Sequence, residues 1–121
     1  MDAARKLKFL VVDDMPTMRR FIKQSLRDIG YTQVKMAPDG DNAIALLKSV
    51  DFDFVLTDWN MPGGTQGIDV LKHVRGDPRL AKLPVVMLTA EAKREHIVQA
   101  IEAGVSGYVV KPFSVKRAGS P

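Results

Sequence analysis

The chain has 121 residues, of which 45% are hydrophobic and 26% are charged, a composition typical of one globular domain with its own core. It has no cysteine, no apolar run near the roughly 20 residues that span a bilayer and no signal peptide, so we expect a cytoplasmic protein without disulfides or a membrane segment. The net charge of +4 is spread along the chain as single basic residues or pairs, which argues against a nucleic-acid partner.

The first half of the chain predicts two strands, each followed by a helix. Residues 9–12 form a continuous apolar run, as in a strand buried on both faces, and the run ends in Asp13 and Asp14. Apolar residues at helical spacing then predict a helix over residues 17–29, which a glycine ends. Residues 33–36 predict a second strand, after which a turn opens another amphipathic helix.

The second half of the chain continues this alternation with three strands and two helices. In chain order, these elements are predicted at residues 54–58, 67–74, 85–88, 91–103 and 107–110. The segment from residue 114 to 121 is short and polar and has no apolar stripe, so we predict no fifth helix there. Strands that alternate with amphipathic helices predict an α/β fold, a doubly wound five-stranded parallel sheet with helices on both faces.

Polar side chains follow four of the predicted strands. Asp13 and Asp14 follow the first strand, Asp58 ends the third, Thr89 ends the fourth and Lys111 follows the fifth. In a parallel sheet, these groups lie along one edge, where open α/β sheets bind ligands. Three carboxylates that converge there would raise at least one pKa unless a hard cation such as Mg²⁺ neutralised them.

The same set of groups suits phosphoryl chemistry. A metal ion and the ammonium of Lys111 would neutralise the charge on phosphoryl oxygens, and a carboxylate such as Asp58 can itself be the nucleophile. The chain has no glycine-rich phosphate loop, so we expect no nucleotide site.

Five ordered motifs, which span about residues 7–113, resemble those of response-regulator receiver domains, and in particular of the chemotaxis regulators in that family. They read Val11-Val12-Asp13-Asp14, Thr17-Met18-Arg19-Arg20, Asp58-Trp59-Asn60-Met61-Pro62, Thr89-Ala90-Glu91-Ala92-Lys93 and Gly107-Tyr108-Val109-Val110-Lys111-Pro112-Phe113. The resemblance implies a flavodoxin-like sheet of strand order 2-1-3-4-5. The chain would be a single receiver domain over residues 1–121, with the last helix missing or truncated after the fifth strand.

The resemblance also implies how the site works. Asp58 would accept a phosphoryl group from a histidine kinase of the chemotaxis type. Mg²⁺ would be held by the side chains of Asp14 and Asp58 and by the backbone carbonyl of Asn60, while Asp13 would act mainly through a metal-bound water. Lys111 would contact a phosphoryl oxygen. The protein would catalyse only its own phosphorylation and dephosphorylation.

A switch and a partner surface are implied in the same way. Thr89 would move to bond the phosphoryl group and let Tyr108 swing inward. Asn60 and Glu91 match the positions that tune self-dephosphorylation. The surface that binds a flagellar motor switch protein, or another phospho-dependent target, would comprise Ala92, Lys93, Ile97 and Tyr108.

Several residues have simpler interpretations. Tyr108 could be ordinary core packing, and Lys93 could belong to a solvated helix face. Asp13 and Asp14 could be helix caps. His73 and His96 are expected at the surface rather than as phosphoryl carriers.

Two departures from the family pattern stand out. The loop at residues 63–67 is one residue longer than in the family pattern, and its glycine pair predicts a mobile loop. A missing fifth helix would expose apolar surface on the first, third and fifth strands, and we expect self-association, an exchanged element or docking to cover it.

Two other functions stay open. The chain could be a receiver module from a different two-component regulator. It could also be a Mg²⁺-dependent phosphatase or phosphotransferase that acts on an external substrate, although Asn60 stands where such enzymes carry a second acid.

Overall fold

The computed structural model describes residues 6–90 and 93–111, and within them it contains every predicted strand and helix. The strands are β1 (Lys8–Val12), β2 (Gln33–Ala37), β3 (Phe54–Thr57), β4 (Val85–Thr89) and β5 (Gly107–Val110). The helices are α1 (Pro16–Asp28), α2 (Gly40–Ser49), α3 (Gly67–Gly76) and α4 (Arg94–Glu102). The predicted absence of a fifth helix concerns residues that lie outside the described ranges.

All five strands are parallel and lie in the order β2-β1-β3-β4-β5, which confirms the predicted doubly wound sheet. The register places Val12 of β1 beside Thr57 of β3, so these two central strands end at the same level. On the other side, Thr57 pairs with Met87 of β4. The residues that follow β1 and β3 therefore lie next to each other at the carboxyl edge of the sheet.

One face of the sheet carries the main core. Alternate residues of the strands point to this face, as the pleat requires, and α2, α3 and α4 cover it. Its completely buried members include Leu10, Val55, Met87, Leu47 and Leu71.

In the described part of the chain, no helix is long and apolar enough to span a membrane.

The other face carries a smaller cluster in which Val11 of β1 packs against Met18 and Ile22 of α1. Leu56 of β3 is only partly buried there. Val109 of β5, which pairs in register with Leu88, is 46% exposed. The expectation of exposed apolar surface is therefore met on β5, partly met on β3 and wrong for β1, because α1 covers that strand. Self-association stays a prediction.

Arg75, near the end of α3, joins two loops at the opposite edge of the sheet. Its guanidinium donates to the carbonyl oxygens of Gly104 at 2.8 Å, Ala81 at 3.2 Å and Leu83 at 2.5 Å, and to the hydroxyl of Ser106 at 3.1 Å. Burial lowers the pKa of Arg75 from its usual range, as desolvation of a cation does. The arginine thereby ties α3 to the segments that lead into β4 and β5.

Candidate functional site

The carboxyl ends of β1 and β3 bring three carboxylates together, as the sequence predicted. The backbone N–H of Asp58 donates to the carbonyl oxygen of Val12 at 2.9 Å, so sheet pairing continues one residue past β3. One carboxylate oxygen from each of Asp13, Asp14 and Asp58 lies within 4.8 Å of the others. Asp13 and Asp58 are buried, and Asp14 is exposed. The cluster is therefore open to solvent on one side.

Lys111 joins two of these carboxylates. Its Nζ lies 3.0 Å from Asp13 Oδ2 and 3.3 Å from Asp58 Oδ2. The backbone N–H of Lys111 donates to the carbonyl oxygen of Thr89 at 2.7 Å, which extends the pairing of β4 with β5. Strand pairing thus carries the ammonium to the same edge as the acids.

The second oxygen of each buried carboxylate is held by the backbone. Met15 N–H donates to Asp13 Oδ1 at 2.9 Å, and Trp59 N–H donates to Asp58 Oδ1 at 2.7 Å. Arg19 donates to the backbone carbonyl of Asp13 at 2.6 Å. Both carboxyl groups are therefore fixed in orientation, with Oδ2 directed to Lys111.

The site has more acidic side chains than basic ones. Burial raises the pKa of Asp13 above its usual range, although the Met15 N–H and Lys111 act in the opposite direction. Burial also tends to lower the pKa of Lys111, but its contacts with Asp13 and Asp58 outweigh burial and raise that pKa. Lys111 therefore stays protonated, and it is one cation among three acids.

This donor set fits a hard divalent cation. All three side chains offer oxygen, which is the ligand that Mg²⁺ prefers, and the three acids lie beside the single ammonium of Lys111. The partly open side leaves room for the waters that Mg²⁺ retains. Asp13, Asp14 and Asp58 can therefore hold a metal ion, in agreement with the sequence.

Comparison with known proteins agrees with this geometry. The sequence matches the family model described as the response regulator receiver domain over residues 9–118. The chain belongs to this family. It is 57% identical to the chemotaxis protein CheY-3 of Vibrio cholerae serotype O1 over 110 residues, which are 91% of this chain and 84% of the relative. It is 58% identical to the chemotaxis protein CheY of Pseudomonas aeruginosa, over 91% of this chain and 88% of that one.

Solved structures give the same answer for the receiver fold. The high-resolution structure of the Vibrio cholerae chemotaxis protein CheY4, crystallised at low pH, superimposes with a TM-score of 0.82 at 34% identity. The match covers 93% of this chain and 92% of that one. The resemblance to chemotaxis regulators that the motifs indicated is therefore confirmed.

In this receiver, the two residues expected to form the switch lie on the same face of the sheet. Thr89 at the end of β4 is buried. Tyr108 of β5 pairs in register with Met87, two residues before Thr89, and packs partly buried against the main core. This position agrees with the core-packing interpretation of Tyr108, and its role in a switch stays a prediction.

Two of the residues expected at the partner surface, Lys93 and Ile97, lie at the start of α4, and Tyr108 lies on β5. Lys93 is exposed at the N-cap, and Ile97 is half-buried one turn later. Glu91 and Ala92 lie outside the described residues. Asn60 is exposed directly after Trp59, at the start of the loop that leads to α3.

Sequence reasoning missed the role of Gln66 in that loop. Gln66 is the N-cap of α3 and forms a capping box with Asp69. Its side chain also bonds both backbone groups of Met61. The glycine pair, Gly63 and Gly64, has left-handed φ angles of 89° and 87° and lies at the loop tip, away from these bonds. Asp69, an acid in the first turn of the predicted helix, was the signal that could have indicated the cap.

His96 is half-buried, so the expectation that it lies at the surface is met only in part. Its ring stacks on Trp59 with a centroid separation of 4.2 Å and an interplanar angle of 9°. Trp59 is buried, and it directly follows Asp58. His73 on α3 is also half-buried rather than exposed. The stack places α4 in direct contact with the residue next to the expected phosphoryl acceptor, and no local pattern predicts a contact over this sequence distance.

Proposed function

We propose that this receiver is a phospho-accepting chemotaxis response regulator, one receiver domain over residues 1–121, that is phosphorylated on Asp58 with the help of Mg²⁺. The observation that carries the proposal is the cluster at the carboxyl edge of β1 and β3. There, Asp58 has a buried, oriented carboxylate 3.3 Å from the ammonium of Lys111 and within 4.8 Å of two further acids. Such a set favours phosphoryl transfer to a carboxylate.

The chemical step follows from this arrangement. A carboxylate oxygen of Asp58 would form the O–P bond while the N–P bond of a phosphohistidine breaks, and the imidazole leaves with the electron pair of that bond. Lys111 would neutralise one phosphoryl oxygen as it exchanges its contact with Asp58 for the phosphoryl group. Mg²⁺, held by Asp14 and Asp58, by the Asn60 carbonyl and through water by Asp13, would supply the remaining positive charge.

The signal would then pass along β4 and β5. The Thr89 hydroxyl would donate a hydrogen bond to the phosphoryl group, and Tyr108 would move into the space that Thr89 vacates. This movement would shift the equilibrium between two states of the partner surface. That surface would comprise Ala92, Lys93, Ile97 and Tyr108. Thr89 and Tyr108 share a sheet face, which supports the coupling.

The resemblance supplies the partners in this proposal. The donor would be a chemotaxis histidine kinase and the target a flagellar motor switch protein, all in the cytoplasm. Asn60 and Glu91 would set the lifetime of the phosphoryl group by controlling the attacking water. The receiver would catalyse only these reactions of its own phosphoryl group.

Trp59 provides the test, because it is the only tryptophan in the sequence and its backbone N–H donates to Asp58 Oδ1. Its fluorescence should change on addition of Mg²⁺ and again on addition of acetyl phosphate. The mass of the protein should increase by one phosphoryl group, and alkali should remove this group, as expected of an acyl phosphate. Asp58→Asn should abolish the second response and the modification. Asp51→Asn is the matched control, because the Asp51 side chain is 95% exposed on another loop. Modification that persists in Asp58→Asn would refute the proposal.

A further inference from the structure

We propose that Gln66 is a positioning residue for the metal site, because its side chain fixes the peptide group whose carbonyl is the expected backbone ligand. This inference deepens the proposed function and rests on it. The relevant peptide joins Asn60 to Met61, so it carries the carbonyl of Asn60 and the N–H of Met61.

Gln66 satisfies both backbone polar groups of Met61. The N–H of Met61 donates to Gln66 Oε1 at 2.8 Å, and Gln66 Nε2 donates to the carbonyl oxygen of Met61 at 2.7 Å. Met61 is only 6% exposed, so water is poorly placed to replace either bond. One side chain therefore acts as a two-point clamp on Met61, three residues after Asp58 and one after Asn60.

The clamp determines where the Asn60 carbonyl points. A trans peptide is planar, and its C=O and N–H point in opposite directions. No peptide bond in the described residues is cis. When Gln66 holds the N–H of Met61, it therefore fixes the direction of the Asn60 carbonyl at the other end of the same plane. The hydrogen bond also polarises that carbonyl, which makes its oxygen a better ligand for a cation.

Gln66 is itself held firmly. Its backbone N–H donates to Asp69 Oδ2 at 2.8 Å within the capping box of α3. The next residue, Gly67, donates its N–H to the carbonyl oxygen of Trp59 at 2.8 Å. The orientation of the Asn60 carbonyl therefore depends on the first turn of α3 and not on the loop tip.

The chemistry requires an amide at this position. A glutamine amide offers one acceptor and two donors, whereas a carboxylate only accepts. An aspartate at this position could accept from Met61 N–H but could not donate to Met61 O. The glutamine therefore closes the base of a loop that is one residue longer than usual, and it leaves the extra length at the glycine-rich tip.

The test compares three variants in the full chain. Gln66→Met keeps the length of the side chain and removes both hydrogen bonds, and Gln66→Ala removes the side chain. Thr65→Ala is the matched control, because Thr65 donates to Asp41 Oδ1 at 2.6 Å and anchors the same loop without touching Met61. Amide exchange of Met61 is measured by NMR without metal, and Mg²⁺ binding is measured by calorimetry.

We expect Gln66→Met and Gln66→Ala to exchange the Met61 amide about 10-fold faster or more and to bind Mg²⁺ about 10-fold more weakly, as is usual when a residue that orients a metal ligand is removed. Thr65→Ala should change neither quantity by more than about twofold. Exchange of the β1 amides, as a reference for the fold, should stay the same in all three. If Gln66→Ala fails this reference, Gln66→Met alone decides.

Two results would overturn different statements. If Met61 exchange rises in Gln66→Met but Mg²⁺ affinity stays within twofold of the wild type, Gln66 has only a structural role and this inference is wrong. If the wild-type chain does not bind Mg²⁺, the proposed function fails, whatever the variants do.

Discussion

The same substitution, glycine to alanine, should have opposite effects at the two ends of α3. A Cβ at Gly67 would lie 2.9 Å from the carbonyl carbon of Asp58 and 3.0 Å from Trp59 Cα, and it would overlap the carbonyl oxygen of Asp58. Carbon atoms in contact normally stay about 3.5–4.0 Å apart. A Cβ at Gly76 would meet nothing within 4 Å. The difference is one of space, because neither glycine has a left-handed φ.

The magnitude follows from what would have to move. All three atoms near the added Cβ at Gly67 belong to the backbone, so no rotamer change can relieve the overlap, and α3 must move away from the end of β3 by about 0.5–1 Å. Overpacking of this kind costs about 1–3 kcal/mol. It would also stretch the 2.8 Å hydrogen bond from Gly67 to Trp59. At Gly76, alanine should stabilise the helix by up to about 1 kcal/mol.

Urea unfolding of the two variants measures both effects. For a slope of about 2 kcal/mol/M, a loss of about 2 kcal/mol lowers the midpoint by about 1 M, and the gain at Gly76 raises it by up to about 0.5 M. Gly67→Ala should also bind Mg²⁺ more weakly, because the displaced backbone carries Asp58. Equal midpoints for the two variants would refute the close packing of α3 on the end of β3.

Three other predictions address single contacts. Arg75→Lys should lower the free energy of unfolding by about 2 kcal/mol, since an ammonium cannot reproduce four hydrogen bonds to separate loops; an unchanged urea midpoint would contradict this. His96→Ala should expose the Trp59 ring and shift its emission to longer wavelength, and an unshifted spectrum would exclude the stack in solution. Asp13→Asn should raise the urea midpoint of the metal-free protein at pH 7, because burial raises the pKa of Asp13 and so disfavours its charged form in the fold. That advantage is complete above the raised pKa and disappears as the pH falls to the ordinary pKa of a carboxyl group, where wild-type Asp13 is protonated in both states. An equal advantage at pH 4 and pH 7 would show that the charge is not its origin.

Much of the fold could be predicted because its signals are local. Short apolar runs rich in β-branched residues, separated by amphipathic segments, require a parallel sheet covered by helices. The same pattern places Asp13, Asp58 and Lys111 at strand ends, and parallel strands bring such ends to one edge. The cluster of acids and the nearby ammonium could therefore be predicted from the sequence, although the strand order came from resemblance to the family.

Other features depend on contacts that no local pattern encodes. The burial of Val11 depends on how α1 crosses the sheet. The stack of His96 on Trp59 depends on the separation of α4 from the loop after β3. A histidine on an amphipathic helix has the same sequence signature whether it faces solvent or a buried ring, so the sequence could not show that His96 is half-buried.

The amino-acid sequence by itself determined the alternation of elements, the chemistry of the carboxyl edge and the unusual length of the loop after Asp58. Only the tertiary structure decided that Lys111 spans Asp13 and Asp58, across sequence separations of 98 and 53 residues. It also decided that Gln66 closes the long loop at its base, so that the glycine pair lies at the tip. The physical reason is the same in both cases. The chemistry of a side chain determines which hydrogen bonds it can make, but the fold determines which partner comes within about 3 Å of it.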